Sequence, residues 1–440
     1  MLRNQGRGAH NASRWSQPQH YSVGKYVEEL LQAFSQMDGT EFSSMISLMD
    51  GHADRLLSTD LCEAEAENSP EPSELHTLHA LGKQYMNTVS CHLKVVYYLS
   101  RQDHQSAFNY QEEMAKIVAA SLPKLPSDDL PWYLPVINTV ARDLTSLALK
   151  CDQLMLNTDG QTSSIDRAFN MIQTIVRTCA AEKGAAEEVS KKRALVPLVN
   201  QLFRLCFRTG RANLCKPLVR TIENLKVLDR CPASQVVTFY YFAGKLAVVE
   251  GDYVLAEQKL TIAYQRCSKQ FPNNIKSILR LLVPLRLRLD VRPSEEILRK
   301  YGLAQFTGIV QALQRADISL FQRARDDNER DYIRWSIFYL IDNLRLIMFR
   351  HVFRKLWKVQ KAHIIAVSDL TVALRVAGYR TSVGANEADR DALGQMPTDA
   401  DAECIVVNLI GEELVKAYVS WAQKKVVVSK TDAFPSLRKG

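Results

Sequence analysis

The sequence contains little glycine and proline for its length, with 18 Gly and 15 Pro among 440 residues. Both residue types interrupt regular structure and shape tight turns, so their scarcity favours long helices over a fold of many short strands. No apolar run approaches the roughly 18 residues that a membrane helix needs, which predicts that no segment spans a bilayer. Residues 1–19 are polar and basic, so we expect no secretory signal there.

Paired cysteine motifs are also missing. Nine cysteines are scattered along the chain, and the closest two, Cys206 and Cys215, have eight residues between them. An odd and dispersed set predicts reduced thiols, as in a cytosolic or nuclear protein, rather than a disulfide framework. The hydrophobic share of 46% and the charged share of 24% are those of an ordinary globular protein and exclude a collagen-like or largely disordered chain.

Catalytic and cofactor motifs are absent as well. The sequence has no Walker-type phosphate loop, no Gly-x-Gly-x-x-Gly after a strand, no Gly-x-Ser-x-Gly and no His-Glu-x-x-His. One grouping has metal-ligating side chains, namely His76 and His79 with Cys91 and His92. Structural zinc sites have tighter paired spacing, so a polar helix surface is the better interpretation. We therefore expect no enzyme, no bound metal and no cofactor.

Charge is spread unevenly along the chain, although the net charge is +8. Residues 1–190 carry 24 Asp and Glu against 15 Lys and Arg, whereas residues 191–300 carry 21 Lys and Arg against 8 Asp and Glu. Residues 301–440 add a net charge of +4. A basic surface attracts polyanions or an acidic partner chain, and the alternative is a solvated helical surface rich in arginine.

The middle of the chain repeats a helix–turn–helix pattern. The turn Gly251-Asp252-Tyr253 separates a helix over 236–250 from a second helix in which Ala256 and Leu260 fall on one face. A small residue near the start of the second helix lets two helices approach closely, as in tetratricopeptide-like hairpins. Several such hairpins without a strand pattern between them predict a right-handed α-solenoid.

The last part of the chain has a different order of elements. Residues 332–359 have a continuous apolar stripe that predicts one long helix, residues 364–376 predict a short helix, and Thr398 can cap the start of a third. Residues 415–428 then alternate, turn and continue as a β-branched run, which predicts a hairpin. Three helices followed by a hairpin are typical of a winged helix.

Six short segments carry a family resemblance. They are Leu198–Phe203, Leu214–Arg220, Leu282–Leu285, Leu298–Tyr301, Val426–Lys430 and Phe434–Pro435. Together they resemble the PCI domain, a solenoid that runs into a winged helix, and more specifically the PCI-domain-containing subunit of the nuclear-pore-associated transcription and mRNA export complex. The resemblance is strong over 190–440 and weak over 80–190. The basic N-terminal tail and the polar stretch 380–396 are longer than the family pattern.

This resemblance implies a non-catalytic subunit that pairs with a larger PCI scaffold subunit through their winged helices. It also implies binding of a small, acidic, largely disordered subunit that is shared with the proteasome lid. Paired winged helices would offer a surface for RNA or DNA, bound without sequence specificity, in a complex that couples transcription to mRNA export. Such a protein is expected in the nucleus, including the nuclear pore, with the cytoplasm as a second location.

The third helix of the predicted winged helix is acidic, with Asp399, Asp401 and Glu412 among its residues. Recognition helices of this fold usually enter a groove, but phosphate repels such a face, so we expect no base reading by it. Basic residues on the long helix and the hairpin are better candidates for salt-sensitive phosphate contacts. These candidates are Arg350, Arg354, Lys355, Lys358, Lys361, Lys424, Lys425 and Lys430. The alternative is that they only keep the surface soluble.

Partner-binding candidates come from two segments. Arg280, Arg286 and Arg288 alternate with leucines and offer both charge and apolar contact to an acidic disordered chain; alternatively, they lie over carboxylates of neighbouring helices. Tyr418 and Trp421 lie near the hairpin and are candidates for docking the scaffold subunit, with a place in the winged-helix core as the alternative.

The sequence thus predicts an all-α fold, with a tetratricopeptide-like solenoid followed by a C-terminal winged helix with a β-hairpin wing. The predicted parts are a disordered basic tail over 1–20, helical repeats over 21–190, and the solenoid and winged-helix parts of a PCI domain over 191–330 and 331–440. The alternative function is a PCI structural subunit of the proteasome lid, the signalosome or a translation initiation complex, without nucleic-acid binding.

Overall fold

The computed structural model describes residues 22–49, 51–56, 83–126, 129–154, 163–182, 190–381 and 395–437. The chain divides into two compact units, and the boundary falls after Phe242, inside a helix. The helical hairpins and the C-terminal winged helix confirm the predicted fold class. The predicted tail over 1–20 and most of the stretch 380–396 lie outside the described residues, and the predicted domain bounds stay predictions.

The first unit, up to Phe242, is made of helices. Aspartate and serine side chains cap several of them, as Asp38 and Asp103 do by accepting backbone N–H groups at 3.0 Å. Such caps satisfy amides that have no partner within the helix. The helices are α1 (Val23–Ser35), α2 (Gly39–Met45), α3 (Gly51–Leu56), α4 (Lys83–Ser100), α5 (His104–Ser121), α6 (Leu130–Leu154), α7 (Ser164–Ala180), α8 (Leu195–Arg208), α9 (Cys215–Leu225) and the first part of α10 (Ala233–Glu250).

Aromatic rings hold the beginning of this unit together. Phe34 and Trp132 meet edge to face at 5.5 Å between ring centroids, with an interplanar angle of 89°. Tyr85 lies 5.1 Å from Phe34, and the fully buried Phe42 lies 5.9 Å from Trp132. Edge-to-face pairs of this kind stabilise by about 0.5–1.5 kcal/mol beyond the buried area. The cluster therefore ties α1 and α2 to α4 and α6.

The second unit runs from Ala243 to the C-terminus and contains the strands found among the described residues. Its sheet has the order β1-β3-β2, and both pairings are antiparallel. The elements after α10 are α11 (Tyr253–Arg266), α12 (Pro272–Arg288), α13 (Glu295–Lys300), α14 (Thr307–Arg315), α15 (Ile318–Asp327), α16 (Glu329–Arg334), α17 (Phe338–Gln360), β1 (Ile364–Ala366), α18 (Val367–Val376), α19 (Asp399–Gly411), β2 (Ala417–Ser420) and β3 (Lys425–Val428).

The predicted hairpin at the start of this unit is confirmed. Gly251 has φ +80°, a conformation that L residues rarely adopt, and Asp252 caps α11 by accepting from the Leu255 N–H at 3.0 Å. Gly244 lies against α11, because a Cβ added there would meet Leu260 Cγ at 2.5 Å. The close approach of the two helices thus depends on glycine in α10 as well as on small residues in α11.

The long helix predicted over 332–359 is wrong in one respect, because two helices occupy this stretch. The chain breaks between α16 and α17, where Ser336 has φ +60°. The side chain of Tyr332 is fully buried and donates to the Gln305 carbonyl at 2.6 Å, while its ring stacks on Phe306 at 5.8 Å. These contacts fix the end of α16, and α17 starts as a separate helix at Phe338.

The predicted hairpin at the C-terminus is confirmed as β2 and β3, but the helix predicted over 364–376 starts later. Its first three residues form β1, which pairs with β3 in the register Ile364↔Val427. The strand ends where Val367 begins α18 and donates its N–H to the Lys424 carbonyl at 3.0 Å. Pairing with a strand far along the chain overrides the local helical pattern here.

Candidate nucleic-acid and partner interfaces

The tip of the wing carries two exposed lysines. Lys424 has φ +48° in the turn between β2 and β3, and Lys425 is the first residue of β3, opposite both Ser420 and Ala366. The backbone at Lys424 is fixed, since its carbonyl accepts the N–H of Val367. Both ammonium groups therefore extend from a rigid turn and are open to an anionic ligand.

A second pair of lysines lies at the other end of the same strand pair. Lys361 ends α17 with φ +51°, and the Val428 N–H donates to the His363 carbonyl at 2.8 Å. This hydrogen bond extends the β1–β3 register and brings the chain at Lys361 towards Lys430. At about 3.3 Å per residue, the five residues from Lys425 to Lys430 span roughly 16 Å, which separates this second pair of lysines from the pair at the tip of the wing.

The basic residues of α17 divide into engaged and open side chains. Lys358 is exposed, and Arg354 is half-buried one turn earlier. Lys355 is exposed, but its Nζ donates to the Arg315 carbonyl at 2.5 Å at the end of α14. A cation at that position is stabilised by the free carbonyls of the helix C-terminus. Lys358 thus lies exposed about one turn before Lys361, whereas Lys355 also supports the end of α14.

Arg350 does not fit the prediction of a nucleic-acid contact. Its side chain is only 2% exposed, and it donates from Nε to the Leu414 carbonyl at 2.9 Å and from Nη2 to the Pro435 carbonyl at 2.7 Å. Its guanidinium also lies over the Phe434 ring, 5.8 Å from the centroid. The C-terminal segment covers this residue, so Arg350 ties that segment and the end of α19 to α17.

Two acids of α19 form hydrogen bonds within the winged helix, and both are partly exposed. Asp399 accepts from the Thr371 hydroxyl at 2.6 Å, and Asp401 forms a reciprocal cap with Thr398. Hydrogen bonds from Thr398 lower the pKa of Asp401. The exposed residues along the outer face of α19 are uncharged and mostly small: Ala400, Cys404, Val407, Asn408 and Gly411. Glu412 and Glu413, just beyond the helix, are exposed carboxylates.

The predicted docking aromatics are both on the surface. Tyr418 is 63% exposed on β2, which is an edge strand of the sheet, and Trp421 is 60% exposed in the turn that follows. Neither ring therefore belongs to the core of the winged helix, which was the alternative. Large exposed aromatic rings of this kind are typical of protein interfaces.

The three predicted arginines of α12 lie in different surroundings. The Arg280 guanidinium stacks over the Trp335 ring at 4.7 Å, and the Arg288 guanidinium lies over the Tyr253 ring at 4.9 Å. Arg286 pairs with Glu257 at 3.4 Å, as the alternative interpretation expected. The structure thus brings Arg286 and Arg288 to α11 but leaves Arg280 at the α16–α17 break.

A groove of about 1040 Å³ lies beside these residues in the second unit. Arg286 and Arg288 line it together with Glu257, Glu412 and Glu413, so its charge is mixed rather than purely basic. Its apolar walls come from α11, α12, α17, the end of α19 and the C-terminal segment, through Val254, Leu285, Leu289, Val291, Ile347, Ile410, Leu414, Val415 and Leu437.

Sequence reasoning missed a buried histidine that joins the helices of this unit. His351 Nδ1 lies 3.0 Å from the Leu313 carbonyl, and its Nε2 lies 3.3 Å from Asp290 Oδ1. The hydrogen bond from His351 is the largest cause that lowers the pKa of Asp290 to about 2. No motif marks this pairing, because its members are 61 and 38 residues apart in the sequence.

Of the four residues considered as metal ligands in the sequence, the structure describes only Cys91 and His92. His76 and His79 lie outside the described residues. Burial lowers the pKa of His92 to about 3 and raises the pKa of Cys91 to about 11. Within the described ranges, no group of three or more His, Cys, Asp or Glu side chains is placed to hold a metal ion. Nor does any helix of these ranges combine the length and apolar character needed to cross a membrane.

Comparison with known proteins gives a consistent result. Residues 294–430 match the family model of the PCI domain. The "PCI domain-containing protein 2 homolog" of Drosophila melanogaster is 31% identical over 420 residues, which cover 94% of this chain and 99% of that protein. The "PCI domain-containing protein 2" of Xenopus laevis is 28% identical over 95% of this chain and 98% of its own length. The "Enhanced ethylene response protein 5" of Arabidopsis thaliana is 30% identical over 70% of this chain and 71% of its own length. This chain belongs to the family of PCI domain-containing protein 2.

Proposed function

We propose that this chain is a non-catalytic scaffold subunit of a nuclear mRNA export complex, where it pairs with a larger PCI scaffold subunit and contributes to non-specific nucleic-acid binding. The observation that carries the nucleic-acid part is the basic edge of the winged helix. It consists of the exposed residues Lys358, Lys361, Lys424, Lys425 and Lys430. None of these five lysines forms an ion pair with a carboxylate in the described part of the chain.

The wing, rather than the recognition helix, is the element that meets phosphate in this proposal. α19 carries the partly exposed Asp401 and Glu403, and the exposed Glu412 and Glu413 follow it. These carboxylates repel phosphate, so base reading by this helix is disfavoured. Lysines that contact phosphates bind without sequence preference and lose affinity as salt rises. We therefore propose binding of RNA or DNA through backbone contacts alone.

The nucleic-acid proposal is tested with the Lys424→Glu/Lys425→Glu variant. Fluorescence anisotropy with RNA and duplex DNA is measured at 50 and 200 mM salt, for the purified chain and for the complex with its scaffold partner. Each neutralised phosphate contributes about 0.9 to the slope of log K against log salt on duplex DNA, so a variant that loses two contacts is expected to lose about 1.8. Arg299→Glu/Lys300→Glu, an exposed adjacent pair on α13, is the matched control. An unchanged slope and affinity in the Lys424/Lys425 variant would remove the wing from the site.

We propose that the scaffold subunit binds to Tyr418 and Trp421. The small acidic subunit binds, in this proposal, to the side of the groove that carries Arg286 and Arg288. Tyr418→Ala/Trp421→Ala is expected to reduce co-purification of the scaffold subunit and to leave the melting temperature of the isolated chain unchanged, because both rings are exposed. Arg286→Ala/Arg288→Ala is expected to release the acidic subunit selectively. Full retention of either partner contradicts its assignment.

The proposed location is the nucleus, including the nuclear pore, with the cytoplasm as a second location. Immunolocalisation of the full-length chain tests this. Exclusion from the nucleus would contradict the export role while leaving the scaffold role possible in another complex.

A second candidate function is a protein-only structural subunit of a proteasome lid, signalosome or translation initiation complex. The exposed small residues of α19 favour it, because residues such as Ala400 and Gly411 let a partner helix approach closely. The two functions are separated by the low-salt titration: absence of nucleic-acid binding at 50 mM salt, with the scaffold partner present, supports the protein-only role.

A further inference from the structure

Three half-buried tyrosines lie together on the surface of the first unit. Tyr97 and Tyr98 come from the last part of α4, and Tyr110 comes from α5, which packs against α4. The rings of Tyr98 and Tyr110 stack with 5.4 Å between their centroids and an interplanar angle of 14°. Tyr97 meets Tyr98 edge to face, with 5.3 Å between the centroids. The three rings therefore form one aromatic cluster that is partly open to solvent.

Two cations lie over the faces of these rings. The ammonium group of Lys94 is 5.5 Å from the centroid of Tyr110, and the guanidinium group of Arg101 is 4.8 Å from the centroid of Tyr97. Arg101 is exposed, and Lys94 is half-buried. In the described part of the chain, neither cation forms an ion pair with a carboxylate. Both charges are therefore available to an anionic ligand.

The acids near the cluster leave it with a small positive charge. Asp103, in the turn between α4 and α5, caps α5 by accepting the Ser106 N–H at 3.0 Å and keeps its negative charge. Glu113 follows Tyr110 on α5, and its carboxylate lies 3.2 Å from Lys116 Nζ. Three positive groups thus face two negative ones. Because this excess is small, phosphate contacts alone would hold a polyanion weakly here, and the rings must supply the rest of the affinity.

The composition of this surface favours a nucleobase over a protein side chain. The described residues of α4 and α5 over 85–121 include no exposed Leu, Ile, Val, Met or Phe. The centre of a protein interface is usually built around apolar side chains that lose their contact with water. Aromatic rings with cations beside them are instead the platforms on which the bases of a single strand stack.

We propose that Tyr97, Tyr98 and Tyr110 form a stacking site for single-stranded nucleic acid, with Lys94 and Arg101 as its phosphate contacts. A base takes a ring face that a cation now covers, because base stacking stabilises more than an exposed cation–π contact does. The displaced cation, on its flexible stem, then pairs with a phosphate of the same strand. This inference deepens the nucleic-acid part of the proposed function. It concerns contacts with bases, whereas the wing lysines contact phosphate, so the two sites can fail separately.

The first test separates base contacts from phosphate contacts. Fluorescence anisotropy of the full chain is measured with a labelled oligouridine and with an abasic strand of the same length and charge. The wild type is expected to bind the oligouridine at least about tenfold more tightly, because the abasic strand cannot stack. Tyr97→Leu/Tyr110→Leu keeps apolar side chains and is expected to bind both strands equally. Equal binding of both strands by the wild type overturns this inference alone, whereas absence of binding to either strand overturns the wing proposal as well.

Two control variants locate the effect. Tyr339→Ala removes an 83% exposed ring of α17 and should keep the preference for oligouridine. Lys424→Glu/Lys425→Glu should weaken the binding of both strands by the same factor and leave their ratio unchanged. If the double tyrosine variant does not fold, as judged by circular dichroism, Tyr97→Leu alone serves, with a partial loss of the preference as the expected result. A folded tyrosine variant that keeps the full preference refutes the site.

The last test concerns the two cations. Each phosphate contact on a single strand contributes about 0.7 to the slope of log K against log salt, so Lys94→Gln/Arg101→Gln is expected to lower this slope by about 1.4. An unchanged slope would contradict the phosphate contacts. If the tyrosine variant binds oligouridine as the wild type does but loses the scaffold subunit during co-purification, the cluster is a protein interface and the inference is wrong.

Discussion

Replacing Arg350 by Met tests whether this residue holds the winged helix together or binds nucleic acid. The change removes the donors to the carbonyls of Leu414 and Pro435, at 2.9 and 2.7 Å, in a side chain that is 2% exposed. Each buried acceptor that loses its partner costs about 1–3 kcal/mol. Met keeps the apolar stem and avoids a large cavity. We expect the free energy of unfolding of the second unit to fall by about 2–5 kcal/mol.

The measurement combines urea unfolding with hydrogen exchange. Exchange should rise first in the backbone amides of the C-terminal segment around Phe434, because that segment loses its tie to α17. Lys358→Met, on the exposed side of the same helix, should change stability by less than about 0.5 kcal/mol. A loss below about 1 kcal/mol for Arg350→Met, together with weaker nucleic-acid binding by the folded variant, would refute the structural role and return Arg350 to the phosphate contacts.

Two further predictions concern contacts within the second unit. The pKa of Asp290 is lowered to about 2 in the folded chain. Its pairing with His351 therefore stabilises the chain above about pH 4, and this stabilisation is lost as the pH falls towards 2. We expect Asp290→Asn to lower the free energy of unfolding by about 1–2 kcal/mol at pH 5 and by almost nothing near pH 2. Denaturant unfolding at the two pH values checks this, and an equal cost at both contradicts it. Gly244→Ala should destabilise by about 1–2 kcal/mol despite the better helix propensity of Ala, since its Cβ would lie 2.5 Å from Leu260 Cγ. Gly411→Ala, with nothing within 4 Å of its Cβ, should be neutral or stabilising, so thermal melts that rank the two alanine variants the other way would refute the close-approach argument.

The parts of the fold that the sequence predicted well depend on local signals. The turn at Gly251 and Asp252 combines a residue that tolerates positive φ with a capping side chain, and both act within a few residues of their position. The wing was equally readable, because the alternation before Trp421 and the β-branched run after it match a two-residue period. Thr398 was likewise predicted as a cap and forms one.

Two predicted helices had wrong bounds, and in both places a contact with a distant part of the chain determines the structure. β1 exists because Ile364 pairs with Val427, and no pattern within residues 364–376 shows that partner. The break before α17 follows from the anchoring of Tyr332 at Gln305, while the apolar stripe continues through it undisturbed. Periodicity reports which face of a segment is apolar, but it does not report where a tertiary contact stops the helix.

In the candidate site, too, the sequence gives the type of each residue, but the surroundings of its side chain depend on distant parts of the chain. From the sequence, the basic residues of α17 were all predicted to contact phosphate, and the acids of α19 were all predicted to repel it. In the fold, the C-terminal segment buries Arg350, and two of those acids are engaged by Thr371 and Thr398. The burial of Arg350 leaves Lys358 as an exposed cation of α17, beside the exposed wing lysines Lys424 and Lys425. The hydrogen bonds from the threonines orient the two carboxylates but do not remove their charge. In the proposed function, the basic edge holds the nucleic-acid backbone and the exposed aromatic rings hold the protein partner, and this is why the two kinds of binding are tested by separate variants.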